Sequence, residues 1–379
     1  MSSSRGRRGA AGLAAVALTA SLAACTASSA DEGKAGAIAL TATDSRCDVD
    51  RSSLPAGDHT FAIANKGSRV TEVYVYGLAG GHFTKVVTEK ENIGPGTSYD
   101  LTVSLAPGRY ELACKPGMTG DGIRTRLTVT GRGSATPKAD PRAAAAVSAY
   151  RTYVQGEADR MVPLVDRFVA AVKAGDVDKA KSLYAASRVP WESVEPVAES
   201  FGDLDPRMDL READLEPGQT WTGWHRIEKA LWTTGDLRGL APVADQLAAD
   251  ARVLQGKVPT ADLSVASIGN GAKELLDEVS TSKVTGEEEA FSHTDLVDFQ
   301  ANVEGAREAY RVLRPLVEDT ALLTRLDAAF AAVQHELDAH RSRSGFVSYA
   351  TVTEPQRRDL ARVVDGLGEP LSQLTAAAV

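Results

Sequence analysis

His225 and Glu228 stand three residues apart in the string Trp221-Thr222-Gly223-Trp224-His225-Arg226-Ile227-Glu228-Lys229-Ala230-Leu231-Trp232. On a helix, positions i and i+3 project from one face, so the imidazole and the carboxylate would share it. Glu192 and Glu195 have the same spacing. They lie in an acidic stretch of Glu192, Glu195, Glu199, Asp203, Asp205, Asp209, Glu212, Asp214 and Glu216, set against Arg207 and Arg211. Helical bundles build carboxylate-rich metal sites from this kind of spacing. An imidazole with several carboxylate oxygens suits a harder transition ion such as iron, or zinc, better than Cu(I). A solvated His/Glu face is the plainer reading, since a chain with six histidines can show one such pair by accident. Trp224 and Trp232 weigh against it, because they would bury a stripe beside the pair.

Hydrolytic chemistry finds less support. A zincin needs His-Glu-x-x-His, with two imidazoles one turn apart and a glutamate to activate water. The nearest string, His335-Glu336-Leu337-Asp338-Ala339-His340, puts its histidines five apart and off a common face. No Gly-x-Ser-x-Gly elbow or Cys/His nucleophile pattern is present.

The elements that must carry these residues belong to a chain of 379 residues, long enough for two or three domains. With 42 basic and 51 acidic side chains, a net charge of −9 argues against nucleic-acid binding, which needs a basic face. Three cysteines are too few for a disulfide scaffold or a four-thiolate zinc site. No apolar run reaches the roughly eighteen residues of a membrane span.

Arg5, Arg7 and Arg8 followed by the apolar run Ala10 to Ala24 have the pattern of an export leader. It ends Leu22-Ala23-Ala24-Cys25, which resembles the bacterial lipobox. Cys25 would then be lipidated and anchor the protein to the outer face of a membrane. The other reading is an ordinary secretory signal. Removal of residues 1–24 takes away three arginines and no acids, moving the balance from −9 to −12. Residues 25–36 form an Ala/Ser/Gly-rich tether. Either route of export places Cys47 and Cys114 in an oxidising compartment.

Two periodicities divide the remainder. From 37 to 131 the sequence alternates with period two, with strands expected over 60–65, 70–76, 99–105, 109–114 and 124–130, and turns at Asn65-Lys66-Gly67 and Pro107-Gly108. Six or seven short strands imply a β-sandwich. Residues 132–139 are a Gly/Ser/Pro/Lys linker. From 140 to 379 the period is 3.6. Asp140 and Pro141 open a helix that Gly175 closes, and Asp176 caps the next. Further helices are expected over 237–254, 260–278, 292–317, 320–342 and 353–377, making an antiparallel bundle. No strand is expected after residue 140.

The stretches Trp191 to Pro206 and Gly223 to Trp232 resemble the imelysin-like helical domain, and Ser292 to Gly305 resembles a second block of that family. Over almost all of 37–379 the chain is similar to the EfeO-type components of bacterial iron uptake systems. The resemblance implies an N-terminal all-β cupredoxin-like sandwich followed by an all-α, imelysin-like metal-binding bundle. It implies His225 and Glu228 as ligands, with Glu192, Glu195 and Asp209 as carboxylate partners. Glu199, Asp203 and Asp205 would support them or cap helices, the turn reading being favoured for the two aspartates beside Gly202 and Pro206. His293 and Asp295 lie in the second block, where Ser292-x-x-Asp295 also fits a helix cap.

In the β region, Cys114-Lys115-Pro116-Gly117-Met118 offers the cysteine and methionine of a blue-copper site. It lacks the histidine between them, and Glu72 stands where cupredoxins place the other. The standard electron-transfer site is therefore broken. The resemblance implies a second metal site among Cys47, Glu72, Glu89, Glu91 and Cys114, with copper or ferric iron as the ion. The residues themselves allow a Cys47–Cys114 disulfide equally well. His59 and His82 are expected at the surface, and Met118 as filler.

The expectation is an exported, lipid-anchored iron-binding protein and not an enzyme. Family analogy supplies a membrane iron permease and a secreted haem peroxidase as partners. Zinc is expected to bind in vitro. An imelysin-type metallopeptidase and an acidic-polysaccharide binder are the alternatives.

Overall fold

The computed structural model describes residues 36–79, 82–117, 121–131, 140–201, 204–215, 218–343 and 345–378. The leader with Cys25, the linker 132–139, Met118 and Asp203 lie outside the described residues, as do the side chains of Glu91 and Glu199.

The alternating pattern produces a sandwich of two sheets. One has the order β2-β1-β4-β7, from β1 (Ile38–Ala42), β2 (Cys47–Val49), β4 (Gly57–Asn65) and β7 (Ser98–Leu105). The other has the order β3-β9-β8-β5-β6, from β3 (Ser53–Pro55), β5 (Thr71–Ala79), β6 (His82–Ile93), β8 (Gly108–Pro116) and β9 (Ile123–Thr130). Period-two burial puts Leu40, Phe61, Ile63, Leu101 and Val103 of the first sheet against Val73, Val75, Leu112 and Leu127 of the second. Cys47 on β2 and Cys114 on β8 are joined in a disulfide that ties the sheets together.

Helices follow from Pro141 onward. Asp140 caps α1 (Pro141–Ala174) by accepting from the Arg142 N–H, and Gly175 ends it in the left-handed region. Asp176 caps α2 (Val177–Val194). Short α3 (Leu204–Met208) and α4 (Gly223–Lys229) precede α5 (Ala241–Lys257), α6 (Val265–Thr281), α7 (Asp295–Leu313), α8 (Thr320–Ala339), α9 (Glu354–Leu371) and α10 (Leu374–Ala378). α1 packs on α2 and α5, α2 on α7, and α6 on α7 and α9. Gly305 permits the α2/α7 crossing, since a Cβ there would lie 2.3 Å from the Ser193 carbonyl oxygen. A two-residue hairpin, β10 (Arg341–Ser342) with β11 (Gly345–Phe346), breaks the all-helical expectation. It is too short to leave a periodic signature.

Residues 36–379 form one compact unit. Strand β7 is an edge of its sheet, and α6 covers it: Asn270 Nδ2 donates to the Thr102 carbonyl at 2.8 Å. Beside this bond Lys90 Nζ lies 3.6 Å from Asp277 Oδ2, and the Lys90 and Lys273 ammonium groups stand 4.6 and 5.8 Å from the centre of the Tyr99 ring.

The disulfide closes a 67-residue separation, a constraint worth about 4 kcal/mol on chain-entropy grounds. Cys47→Ser with Cys114→Ser is expected to lose about that much stability. Chemical denaturation of the two proteins under non-reducing conditions measures the difference.

Candidate metal centre

Five stretches of chain converge inside the bundle. α2 contributes Arg188 and Glu192, with Glu195 just past its end, and the turn after α3 contributes Asp209. α4 contributes His225 and Glu228, a helix-free segment over 286–294 contributes Glu288 and Glu289, and α7 contributes Asp298 and Asn302. Gly223 sets the position of α4. Its φ of +82° suits glycine, and a Cβ there would fall 2.0 Å from the Met208 carbonyl oxygen. α4 therefore starts flush against the end of α3, which brings His225 over Asp209. Thr222 Oγ1 donating to the Arg207 carbonyl and Trp221 Nε1 donating to that of Leu210, both at 2.7 Å, hold the junction.

His225 is 2% exposed and meets acids on both sides of its ring. Nδ1 lies 3.2 Å from Glu228 Oε2, while Glu228 Oε1 accepts the backbone N–H groups of Phe291 at 3.0 Å and Ser292 at 2.7 Å. Nε2 faces Asp209 Oδ1 at 3.2 Å and Glu288 Oε1 at 3.8 Å, and neither contact is aligned as a hydrogen bond. Two triads thus share the imidazole, Asp209–His225–Glu288 and His225–Glu228–Glu289. In each, one donor atom per residue lies within 4.8 Å of the others.

Charge sets the character of the centre. The Arg188 guanidinium, fully buried, touches Glu192, Asp209, Glu288, Glu289 and Asp298. The Lys283 ammonium, 1% exposed, touches Glu195, Glu192 and Glu288. With Glu228, seven carboxylates face two permanent cations. Burial pulls the His225 pKa down, as does the Arg188 charge, but the carboxylates of Asp209, Glu228 and Glu288 beside the ring outweigh both and lift it well above 6.5. Burial pushes Glu195, Glu289 and Asp298 far above the carboxylate range, more than Lys283 and Arg188 pull them back. Asp209 moves the other way: burial raises it, but Arg188 and His225 hold it well below 3.8. Burial without full charge compensation thus favours the neutral forms of Glu195, Glu289 and Asp298. A multivalent cation would satisfy the same oxygens and favour their charged forms.

Of the residues expected from sequence, His225, Glu228 and Asp209 come together. Glu192 joins them through Arg188, and Glu195 faces Lys283 and Asn302 in place of His225. Sequence reasoning missed Glu288 and Glu289. The run Glu287-Glu288-Glu289 stands three residues upstream of the quoted Ser292 block, which was the available signal. It also missed Arg188, four residues before Glu192 and on the same helix face. Asp205 lies in α3, where its carbonyl accepts the Asp209 N–H. The Ser292 cap is not formed: Ser292 Oγ donates to Glu289, and Asp295 Oδ1 accepts the Glu289 N–H at 3.2 Å. Asp295 is buried, with its pKa pushed up to about 6. His293, at φ 57°, is only half-buried and joins neither triad. On α8, His335 is exposed, and His340 Nε2 lies 3.5 Å from Glu336.

The β-domain set needs correction. The disulfide removes the thiolates of Cys47 and Cys114, so neither can ligate copper or iron. The pleat separates the rest: Val73 pairs with Cys114 facing the sandwich core, while Glu72 pairs with Lys115 on the opposite face. Glu72 Oε2 lies 3.4 Å from Lys115 Nζ, and Glu89 on β6 is buried opposite Tyr74. His82 is exposed, and His59 bonds through Nε2 to the Pro55 carbonyl at 2.8 Å.

The imelysin family model matches residues 146–374, and a cupredoxin-like domain model matches residues 12–129. The iron uptake system component EfeO of Escherichia coli O157:H7 is 37% identical over 349 residues, covering 89% of this chain and 90% of that protein. This chain belongs to the EfeO family. Family members from Escherichia coli K12 and Shigella flexneri are 36% identical over the same length. Na-dithionite-reduced auracyanin from Roseiflexus castenholzii covers 26% of this chain and all of its own, at 17% identity and a TM-score of 0.21, too slight a likeness to carry an argument. This chain joins a β-sandwich of cupredoxin type to an imelysin bundle.

Two predictions follow from the charges. Arg188→Met leaves five acids without their shared partner. It is expected to cost the metal-free protein about 3–5 kcal/mol in urea unfolding. Glu288 supplies an acid-side test. Burial pushes its pKa up, but Lys283 and His225 outweigh this and hold it at about 2, below its ordinary 4.5. Its contribution is therefore complete above 4.5 and drains away as pH falls toward 2. Glu288→Gln should flatten that limb of the stability–pH profile of metal-free protein.

Proposed function

We propose that this protein captures iron outside the cytoplasm, on Nε2 of His225 together with Asp209 and Glu288, and hands it to a membrane iron permease. One observation carries the reading: a buried imidazole nitrogen without a hydrogen-bond partner faces two carboxylates in a centre with surplus acid. Nδ1 is engaged by Glu228, which two backbone N–H groups hold in place. A histidine ligand oriented by a carboxylate on its other nitrogen is a common metal-site arrangement. Iron suits a set of one imidazole and several oxygens. The names of the EfeO relatives support iron as the cargo. Lipidation at Cys25 would hold the protein beside its permease, and a secreted haem peroxidase is the second partner proposed. No helix among the described residues is long and apolar enough to cross a membrane.

Calorimetric titration of metal-free protein with iron tests the assignment. Glu228→Gln is expected to weaken binding about 10- to 100-fold, the usual loss when a ligand's orienting partner is removed. His225→Ala should lose more, with helix content unchanged by circular dichroism. Wild-type affinity in His225→Ala would refute the reading.

A further inference from the structure

The carboxylates around His225 continue into a second cage, which already holds a positive charge. Lys283 Nζ lies 2.8 and 2.9 Å from the two oxygens of Glu195, 3.3 Å from Glu192 Oε2 and 3.7 Å from Glu288 Oε1. Asn302 completes it. Its Nδ2 donates to Glu192 Oε2 at 2.9 Å and Glu195 Oε2 at 2.8 Å, while its fully buried Oδ1 has no hydrogen-bond partner. Glu288 Oε1 links the two cages, because the same oxygen lies 3.8 Å from His225 Nε2.

A carboxylate shared between two adjoining cation positions is how helical bundles hold pairs of metal ions. We infer that Lys283 fills the second position of such a pair with its own ammonium, and so limits the helical centre to one captured ion. The inference rests on His225 being the capture site. Three donors on a lysine ammonium match the carboxylates around it. A metal would need the oxygens about 0.7 Å closer than the nearest Lys283 contacts, a shift within side-chain reach. The lysine is well anchored. It begins the turn Lys283–Thr285 that follows α6, and Gly286 then turns the chain back at φ +86°. The same short segment therefore delivers both the resident ammonium and the shared acid Glu288.

Lys283 is thus a residue that sets stoichiometry. Its replacement by a neutral side chain opens a site made of Glu192, Glu195 and Glu288. Zn2+ is a suitable probe, being redox-silent and content with oxygen ligands. Metal-free wild type, K283Q and the charge-balanced K283Q/E195Q are each loaded with Zn2+, desalted and assayed by elemental analysis. Anomalous maps at the zinc edge then place the ions. K283Q is expected to hold one more zinc than wild type, seated between Glu192 and Glu195, and to gain more in Tm on loading. K283Q/E195Q should return to the wild-type count, and K283Q expressed with zinc present gives the same count where the metal-free form does not fold. An unchanged count in K283Q, with zinc at His225, overturns this inference alone. Zinc between Glu192 and Glu195 in wild type does the same. A wild-type map with no zinc at His225 overturns the capture reading as well.

Discussion

Charge compensation in a dry interior is the constraint on which the helical domain depends. Six of the seven carboxylates are buried and Glu195 is half-buried, and an isolated buried charge is among the most unfavourable things a fold can hold. Arg188 and Lys283 neutralise part of the set, and the acids around His225 favour the charged form of its ring. Burial pushes the pKa values of Glu195, Glu289 and Asp298 well up, favouring their neutral forms. Hydrophobic packing alone would not select such an arrangement. On the reading proposed above, a cation of higher charge would complete the neutralisation.

The scaffold is arranged to keep those groups apart in sequence and together in space. Rigid helices supply Arg188, Glu192, His225, Glu228, Asp298 and Asn302, and close backbone approaches at Gly223 and Gly305 fix how the helices meet. Glu288 and Glu289 come instead from a segment without helix, held by hydrogen bonds to Tyr184, Ser292 and Asp295. The β-sandwich is not a loose appendage. Its edge strand β7 is covered by α6, the helix that leads into Lys283.

The period change at residue 140 showed the two-part architecture plainly, because alternation and the 3.6-residue repeat are direct records of which side chains face a core. The caps at Asp140, Gly175 and Asp176 were equally legible, being local signals. His225-x-x-Glu228 was readable because both members lie on one helix. Glu288 and Glu289 were not, since a turn-rich segment has no period and its direction is set by tertiary contacts. The cysteines illustrate another limit. Sequence allowed both a thiolate pair and a disulfide, and only the facing of β2 and β8 across the core decides between them.

The inaccessibility of His225 bears on kinetics as much as on affinity. With the ring 2% exposed and Glu228 fully buried, an ion held there as proposed would be shielded from solvent. If iron is held at His225 as proposed, its exchange would require local opening of the segment over 286–294, whose backbone N–H groups hold Glu228. On that proposed reading, a partner that opened this segment would free the ion at the point of contact, and enclosure would otherwise retain it.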